Sequence, residues 1–329
     1  MNEQKNLWDY GAYAPGPPLS GHVLVGVDGS EDVVHALDHA AAEAQARWTT
    51  LEILHAWPWA RHSATDAPPD AKDMNSLIDK AHGVLELAAT RVHERVPELD
   101  VVETLSPEPA ATELVRRGEW AALTVVGSRG LGRVTGLLAG SVSLRVAAHC
   151  GSPLLVTRGE SARGDSEHGT VLVGVADDTD AGAALFAFEE AHQRGAQVWV
   201  LHVSAVPELS GSLRAPPTER LETDLKTLLR SEAAVPRMVV AALREKFPDV
   251  GVRIDTVWSG AARALVEATR VADLVVVTTH HRRGRMPGPH VGPFTHALLH
   301  HAHCPVVLVP VGLAVRQAPR DEREGEEQR

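Results

Sequence analysis

The side chains whose types and spacing could do chemistry gather between Leu123 and Val156, LTVVGSRGLGRVTGLLAGSVSLRVAAHCGSPLLV. Glycines recur at 127, 130, 132, 136 and 140, and Ser141-Val142-Ser143 follow the last of them. Glycine lets a backbone approach an anion closely, and free N–H groups at a helix start can donate to it. This pattern is that of a phosphate cradle. The hydroxyls of Ser141 and Ser143 add donors with little bulk. Asp28, at the end of an earlier apolar run, is a lone carboxylate directed to the same neighbourhood. Arg129 and Arg133 add positive charge to the loop.

The elements that must position these residues are legible around them. Leu123 to Val126 is a short apolar run that reads as a buried strand, and a helical stretch follows Gly140. Pro153-Leu-Leu-Val closes with a further strand. Upstream, His22-Val-Leu-Val-Gly-Val27 reads as the first strand and ends at Asp28-Gly29-Ser30. Ser30 is expected to cap the next helix through its hydroxyl, with Glu31 and Asp32 at the positive end of the helix dipole. Val34, Leu37, Ala41 and Ala44 give that helix one apolar face. Leu51 to Trp57 reads as the second strand and Pro58 to Ala71 as a loop. A helix over about 72–96, a strand from Asp100 to Leu105 and a helix from Pro109 to Arg117 complete the order. Alternating strands and helices imply a parallel sheet covered on both faces.

The pattern then restarts. Thr170-Val-Leu-Val-Gly-Val175 repeats His22 to Val27, and Val200-Leu-His-Val203 repeats Ile53-Leu-His-Ala56. Ala272 to Val277 repeats Ala121 to Val126, and Pro305 to Val309 repeats Pro153 to Thr157. Four landmarks at a nearly constant offset indicate a duplication. The organisation expected is an arm over 1–20, a domain over 21–159, a linker over 160–168, a second domain over 169–312 and an acidic, disordered tail over 313–329.

The spacing Gly127-x2-Gly130-x9-Gly140-Ser141, between a strand and a helix, resembles the ATP-binding signature of the universal stress protein family. The resemblance covers nearly all of residues 21–312. It implies two Rossmann-like domains of the adenine nucleotide alpha hydrolase type. Each would be a five-stranded parallel sheet of order 3-2-1-4-5 with helices on both faces. It also implies ATP, with Mg2+, in the crevice beyond the carboxyl ends of the strands. Residues like Val27 and Asp28 lie at the nucleoside end, and one like Ala56 lines the adenine. Residues like Gly127, Ser128, Arg129, Gly130, Gly140, Ser141, Val142 and Ser143 hold ribose and phosphates. Where the family often has an aspartate this chain has Ala122, while the second copy keeps Asp273; that position belongs to the opposite rim.

The second copy departs from the signature. Gly127-Ser128-Arg129-Gly130 becomes Thr278-Thr279-His280-His281, and Gly140-Ser141-Val142-Ser143 becomes Gly292-Pro293-Phe294-Thr295. Proline removes a donor and phenylalanine would crowd a phosphate. The second domain is therefore expected to bind no nucleotide and to serve as a partner for the first. Their last strands, Leu154 to Thr157 and Val306 to Val309, are the expected seam of an intramolecular pseudo-dimer, with Thr157 and Val309 as cross-linking positions. Any homodimer would use another surface.

Composition sets limits. A chain of 329 residues with 44% hydrophobic content suits two globular domains. A net charge of −11 argues against general affinity for nucleic acid or anionic lipid. No apolar run approaches a membrane span and the N-terminus does not read as a signal peptide. The 2 cysteines, Cys150 and Cys304, suggest reduced packing residues in a cytoplasmic protein. His296 and His300, four apart with His303 and Cys304 beyond, lack a compact ligand set, and no metal is assigned. No catalytic residues are assigned either, since one carboxylate does not make a reaction. The leading reading is thus a nucleotide-dependent binding or signalling protein of the stress response. A slow ATPase, a nucleotidyl-transferring ligase with a different loop after the first strand, and an interaction protein without nucleotide remain as alternatives.

Overall fold

The computed structural model describes residues 19–30, 33–57, 71–128, 140–158, 168–204, 234–258, 260–279 and 291–312. Most of the arm, most of the linker, the tail, and residues 129–139 and 280–290 lie outside them. In the first half the strands are β1 (Val23–Val27), β2 (Leu51–Ala56), β3 (Val101–Ser106), β4 (Leu123–Gly127) and β5 (Leu154–Thr157). The helices between them are α1 (Val33–Ala46), α2 (Ala71–Arg95), α3 (Ala110–Gly118) and α4 (Ser141–His149). The second half repeats the series with β6 (Thr170–Val175), α5 (Ala181–Arg194), β7 (Gln197–Ser204), α6 (234–246), β8 (Val252–Trp258), α7 (Ala261–Ala268), β9 (Leu274–Thr279), α8 (Pro293–His301) and β10 (Val306–Pro310).

All ten strands form one sheet of order β3-β2-β1-β4-β5-β10-β9-β6-β7-β8. Each half has the expected order 3-2-1-4-5, and every pairing within a half is parallel. Parallel strands covered on both faces must be apolar throughout, which is why β1, β4, β5, β9 and β10 read as unbroken runs. One core layer joins the sheet to α1, α2, α5 and α6, and the other joins it to α3, α4, α7 and α8.

The halves meet where β5 and β10 pair antiparallel, with Val156 opposite Val306, Leu155 opposite Val307 and Leu154 opposite Leu308. This places the seam on the expected strands and corrects one detail. The antiparallel register sends Thr157 and Val309 to opposite ends of the paired stretch, so they do not face one another.

Further contacts cross the seam. On one face Glu43 and Arg47 of α1 meet Glu190 and Arg194 of α5. Arg47 pairs with Glu43 and Glu190, and Arg194 lies 2.5 Å from Glu43 and 2.7 Å from Glu190. On the other face Arg158 donates to the carbonyls of Leu298 and Leu299 at 3.0 and 2.8 Å. These carbonyls lie in the last turn of α8, where a cation is favoured.

Ser30 does not act as its sequence suggests. Its backbone N–H donates to Asp28 Oδ1 at 3.0 Å and its carbonyl accepts from Val33 at 3.2 Å, while its buried hydroxyl has no partner among the described residues. On α1 the buried face is Ala36, Leu37, Ala40, Ala41 and Ala44, with Val34 half-buried.

Candidate functional site

At the carboxyl ends of β1 and β4, where the strand order reverses, a cleft of about 310 Å³ opens between the sheet, α3 and the start of α4. Val27, Asp28, Ala56, Gly127, Gly140, Ser141, Val142 and Ser143, all singled out in the sequence, line it together. Ser128 sits just behind, its N–H donating to Thr157 O at 2.9 Å and its carbonyl accepting from Gly140 N at 2.6 Å. That bond ties the two ends of residues 129–139 together. Arg129 and Gly130, also singled out, lie outside the described residues.

The start of α4 supplies the polar side of the cleft. Gly140 is the N-cap, and the first intrahelical bond runs from Leu144 N to Gly140 O at 3.1 Å. The N–H groups of Ser141, Val142 and Ser143 have no hydrogen-bond partner among the described residues. This is how a helix start offers itself to an anion. Ser143 turns its hydroxyl inward, at 3.1 Å from Gly140 O and 3.4 Å from Ser128 O. Its side chain therefore braces the loop, and its backbone is the part left for a ligand.

The apolar side was not anticipated residue by residue. Leu54, Ala110, Leu114 and Val126 contribute to it, together with Gly26 and Val33. Leu54 could have been found from alternation, since it shares a face of β2 with Ala56. Gly26 has a packing reason: a Cβ there would stand 3.0 Å from Leu114 Cδ1. Beneath the rim, His55 Nδ1 lies 2.8 Å from Val27 O and holds the ends of β1 and β2 together.

The equivalent region of the second half differs in three ways. Thr278 and Thr279 at the end of β9 are buried, and the Thr278 hydroxyl has no partner among the described residues. Pro293 opens α8 and removes one donor, and Phe294 packs half-buried on the core. After β6, where the first half has Asp28, stands Ala176. Its N–H and that of Asp177 donate to Asp180 Oδ2 at 2.6 and 3.2 Å. An internal carboxylate thus occupies the donors that follow that strand.

Asp273 accepts from Thr170 N and His168 N at 2.9 and 2.8 Å at the N-terminal rim, away from the cleft. Its replacement by Ala122 in the first half therefore does not touch the cleft. His296 and His300 stack at 4.2 Å between centroids, and burial pushes the Cys304 thiol up to about 12. Among the described residues no group of three or more His, Cys, Asp or Glu could hold a metal ion. Nor is any described helix long and apolar enough to cross a membrane.

Comparison with known proteins agrees with this architecture. The model of the universal stress protein family matches residues 20–158 and again 168–310. A universal stress protein of Mycobacterium tuberculosis is 28% identical over 88% of this chain and 95% of its own length. One from Mycolicibacterium smegmatis is 28% identical over 87% and 96%. The crystal structure of a universal stress protein from Archaeoglobus fulgidus superposes with a TM-score of 0.60 at 15% identity, covering 89% of this chain and 97% of that one.

Proposed function

The chain belongs to the universal stress protein family, and on that premise we propose that its N-terminal domain binds ATP and that the protein acts in the cytoplasm as a nucleotide-dependent binding protein of the stress response. The observation that carries this reading is the juxtaposition, in one cleft, of three N–H groups at Ser141 to Ser143, unpartnered among the described residues, with the apolar wall of Leu54, Ala56 and Leu114. A triphosphate takes the first and an adenine the second. Gly127, at the end of β4, keeps side-chain bulk out of the space between them.

Magnesium fits this set as a companion of the nucleotide. It keeps most of its shell as water and phosphate oxygen and needs one or two protein carboxylates. Asp28 is the carboxylate in the described lining. The reading is of binding rather than turnover, with Asp180, Pro293 and the buried threonines making the second half a partner domain.

Mass spectrometry of the small molecules that co-purify with the chain, followed by titration with ATP, ADP and cyclic AMP, tests the proposal. Bound adenine nucleotide and phosphate release at background level are expected. Absence of any nucleotide and of any binding heat would make the chain an interaction protein instead.

A further inference from the structure

The two halves hold corresponding helices against the sheet by different means. In the first half Leu114 of α3 packs on Gly26, and in the second Leu265 of α7 packs on Gly174; a Cβ on either glycine would stand only 3.0 and 3.1 Å from the leucine. Below Leu114, toward the N-terminal rim, the likeness ends. Arg117 Nη1 donates to Glu52 Oε1 at 2.5 Å, and Arg117 Nε donates to Glu113 Oε1 at 2.6 Å. Glu52 also accepts from Thr104 Oγ1 at 2.8 Å, and His22 Nε2 lies 2.9 Å from its other oxygen. The Glu52 side chain is fully buried. Burial works to raise its pKa, but the His22 contact and the Arg117 charge outweigh it and hold the carboxyl below the usual range.

The sheet register identifies what replaces this cluster. Glu52 pairs with Leu24 on β1, and Trp199 pairs with the corresponding Leu172 on β6. Counting from the matched leucines, Ala268 stands for Arg117 and Ala264 for Glu113. Trp199 packs half-buried on the core and donates through Nε1 to Asp255 at 2.9 Å. The second half therefore seats its helix without a buried ion pair.

A buried ion pair gives little net stability over a well-packed apolar pair of similar volume, because desolvation consumes the Coulombic gain. The second half bears this out by packing α7 with none. What the pair does supply is direction, since a guanidinium fork bonds a carboxylate in few orientations. Glu52, Leu54 and Ala56 share one face of β2. On α3, Ala110 and Leu114 line the cleft, and Glu113 and Arg117 engage the ions one turn below.

We infer that the Glu52–Arg117 pair is a positioning device that sets α3, and with it the wall of the nucleotide cleft, in the half that carries the glycine loop. Neither residue touches the ligand; the inference rests on the ATP reading above.

The test uses the full chain. In Glu52→Leu/Arg117→Met both members of the pair leave together, while Glu113 keeps Arg116. The melting temperature should stay within a few degrees of the parent protein while the ATP dissociation constant rises about ten-fold, or ~1.4 kcal/mol. Arg117→Lys keeps the charge without the fork and should weaken ATP about three-fold at unchanged melting temperature. Parent affinity in either folded variant overturns the inference. So does an affinity loss that merely tracks the melting temperature across the two.

Amide exchange without nucleotide separates this inference from the ATP reading. Residues 110–118 should exchange faster in the double variant while 261–268 do not change. If the parent chain binds no ATP, the functional proposal fails by itself. Exchange unchanged over 110–118 would show that the pair does not position α3.

Discussion

Gly140 N–H donates to the Ser128 carbonyl at 2.6 Å, and the Ser143 hydroxyl lies 3.4 Å from the same oxygen. Eleven residues separate Ser128 from Gly140 in the chain, yet this bond brings their backbones together at the cleft. The start of α4 is thereby tied to the end of β4. Its open N–H groups are offered from a fixed frame, which lowers the ordering cost of binding.

Removing the brace should show in affinity more than in folding. Ser143→Ala deletes a buried hydroxyl whose bond is worth about 1 kcal/mol, so ATP binding is expected to weaken about five-fold. Circular dichroism melting and calorimetric titration of the same sample check this. Undiminished affinity would show that Gly140 N–H holds the frame alone.

The seam across α1 and α5 predicts a larger effect on stability. Glu43 and Glu190 are buried and share Arg47 and Arg194. Arg47→Met leaves two buried carboxylates on one guanidinium and should cost about 3 kcal/mol, read from denaturant unfolding. A loss under about 0.5 kcal/mol, the level of a surface pair, would contradict the assignment.

Acid should unfold the first half through its buried carboxylates. Burial works to raise Glu52 and Glu113, but His22 and Arg117 for the former, and Arg116 and Arg117 for the latter, hold both below the ordinary range. A depressed folded-state pKa contributes stability above the unfolded value, about 4.3 for glutamate, and loses it as pH falls toward the folded one. Glu190, raised by burial and by Glu43, acts in the opposite sense and offsets part of this. Melting temperatures between about pH 3 and 7 should fall below about pH 4.3, and Glu113→Gln should flatten that limb.

The antiparallel seam gives a geometric test. Leu155 and Val307 are register partners, and opposed residues in antiparallel strands lie about 4.5–5.5 Å apart, within disulfide range. The pair Leu155→Cys/Val307→Cys should form an intrachain link under mild oxidation. Links only between separate chains would mean that the strands pair in trans.

What the sequence made legible follows from where information is local. Parallel strands buried on both faces leave apolar runs such as VLVGV, so the duplication and the strand set could be read directly, and the glycine spacing marked the cleft. Direction was not local. Ser143 and Ser141 look alike on paper, yet one is buried against Gly140 and Ser128 and the other is exposed at the cleft. Glu43 and Arg47 lie four apart, and nothing local to them shows that α5 covers them. Glu52 sits in β2 with nothing in the chain nearby to announce Arg117, 65 residues away. The sense of the seam depends on a twofold relation between halves that neither half contains alone.

Stoichiometry bears most directly on the central claim, that one half carries the nucleotide site and the other is closed to it. Calorimetric titration of the full chain with ATP and magnesium should give one site. Gly127→Val, which puts a branched side chain at the end of β4 beside the cleft, should give none with the melting temperature little changed. Two sites in the parent chain, or one surviving in folded Gly127→Val, would contradict the assignment.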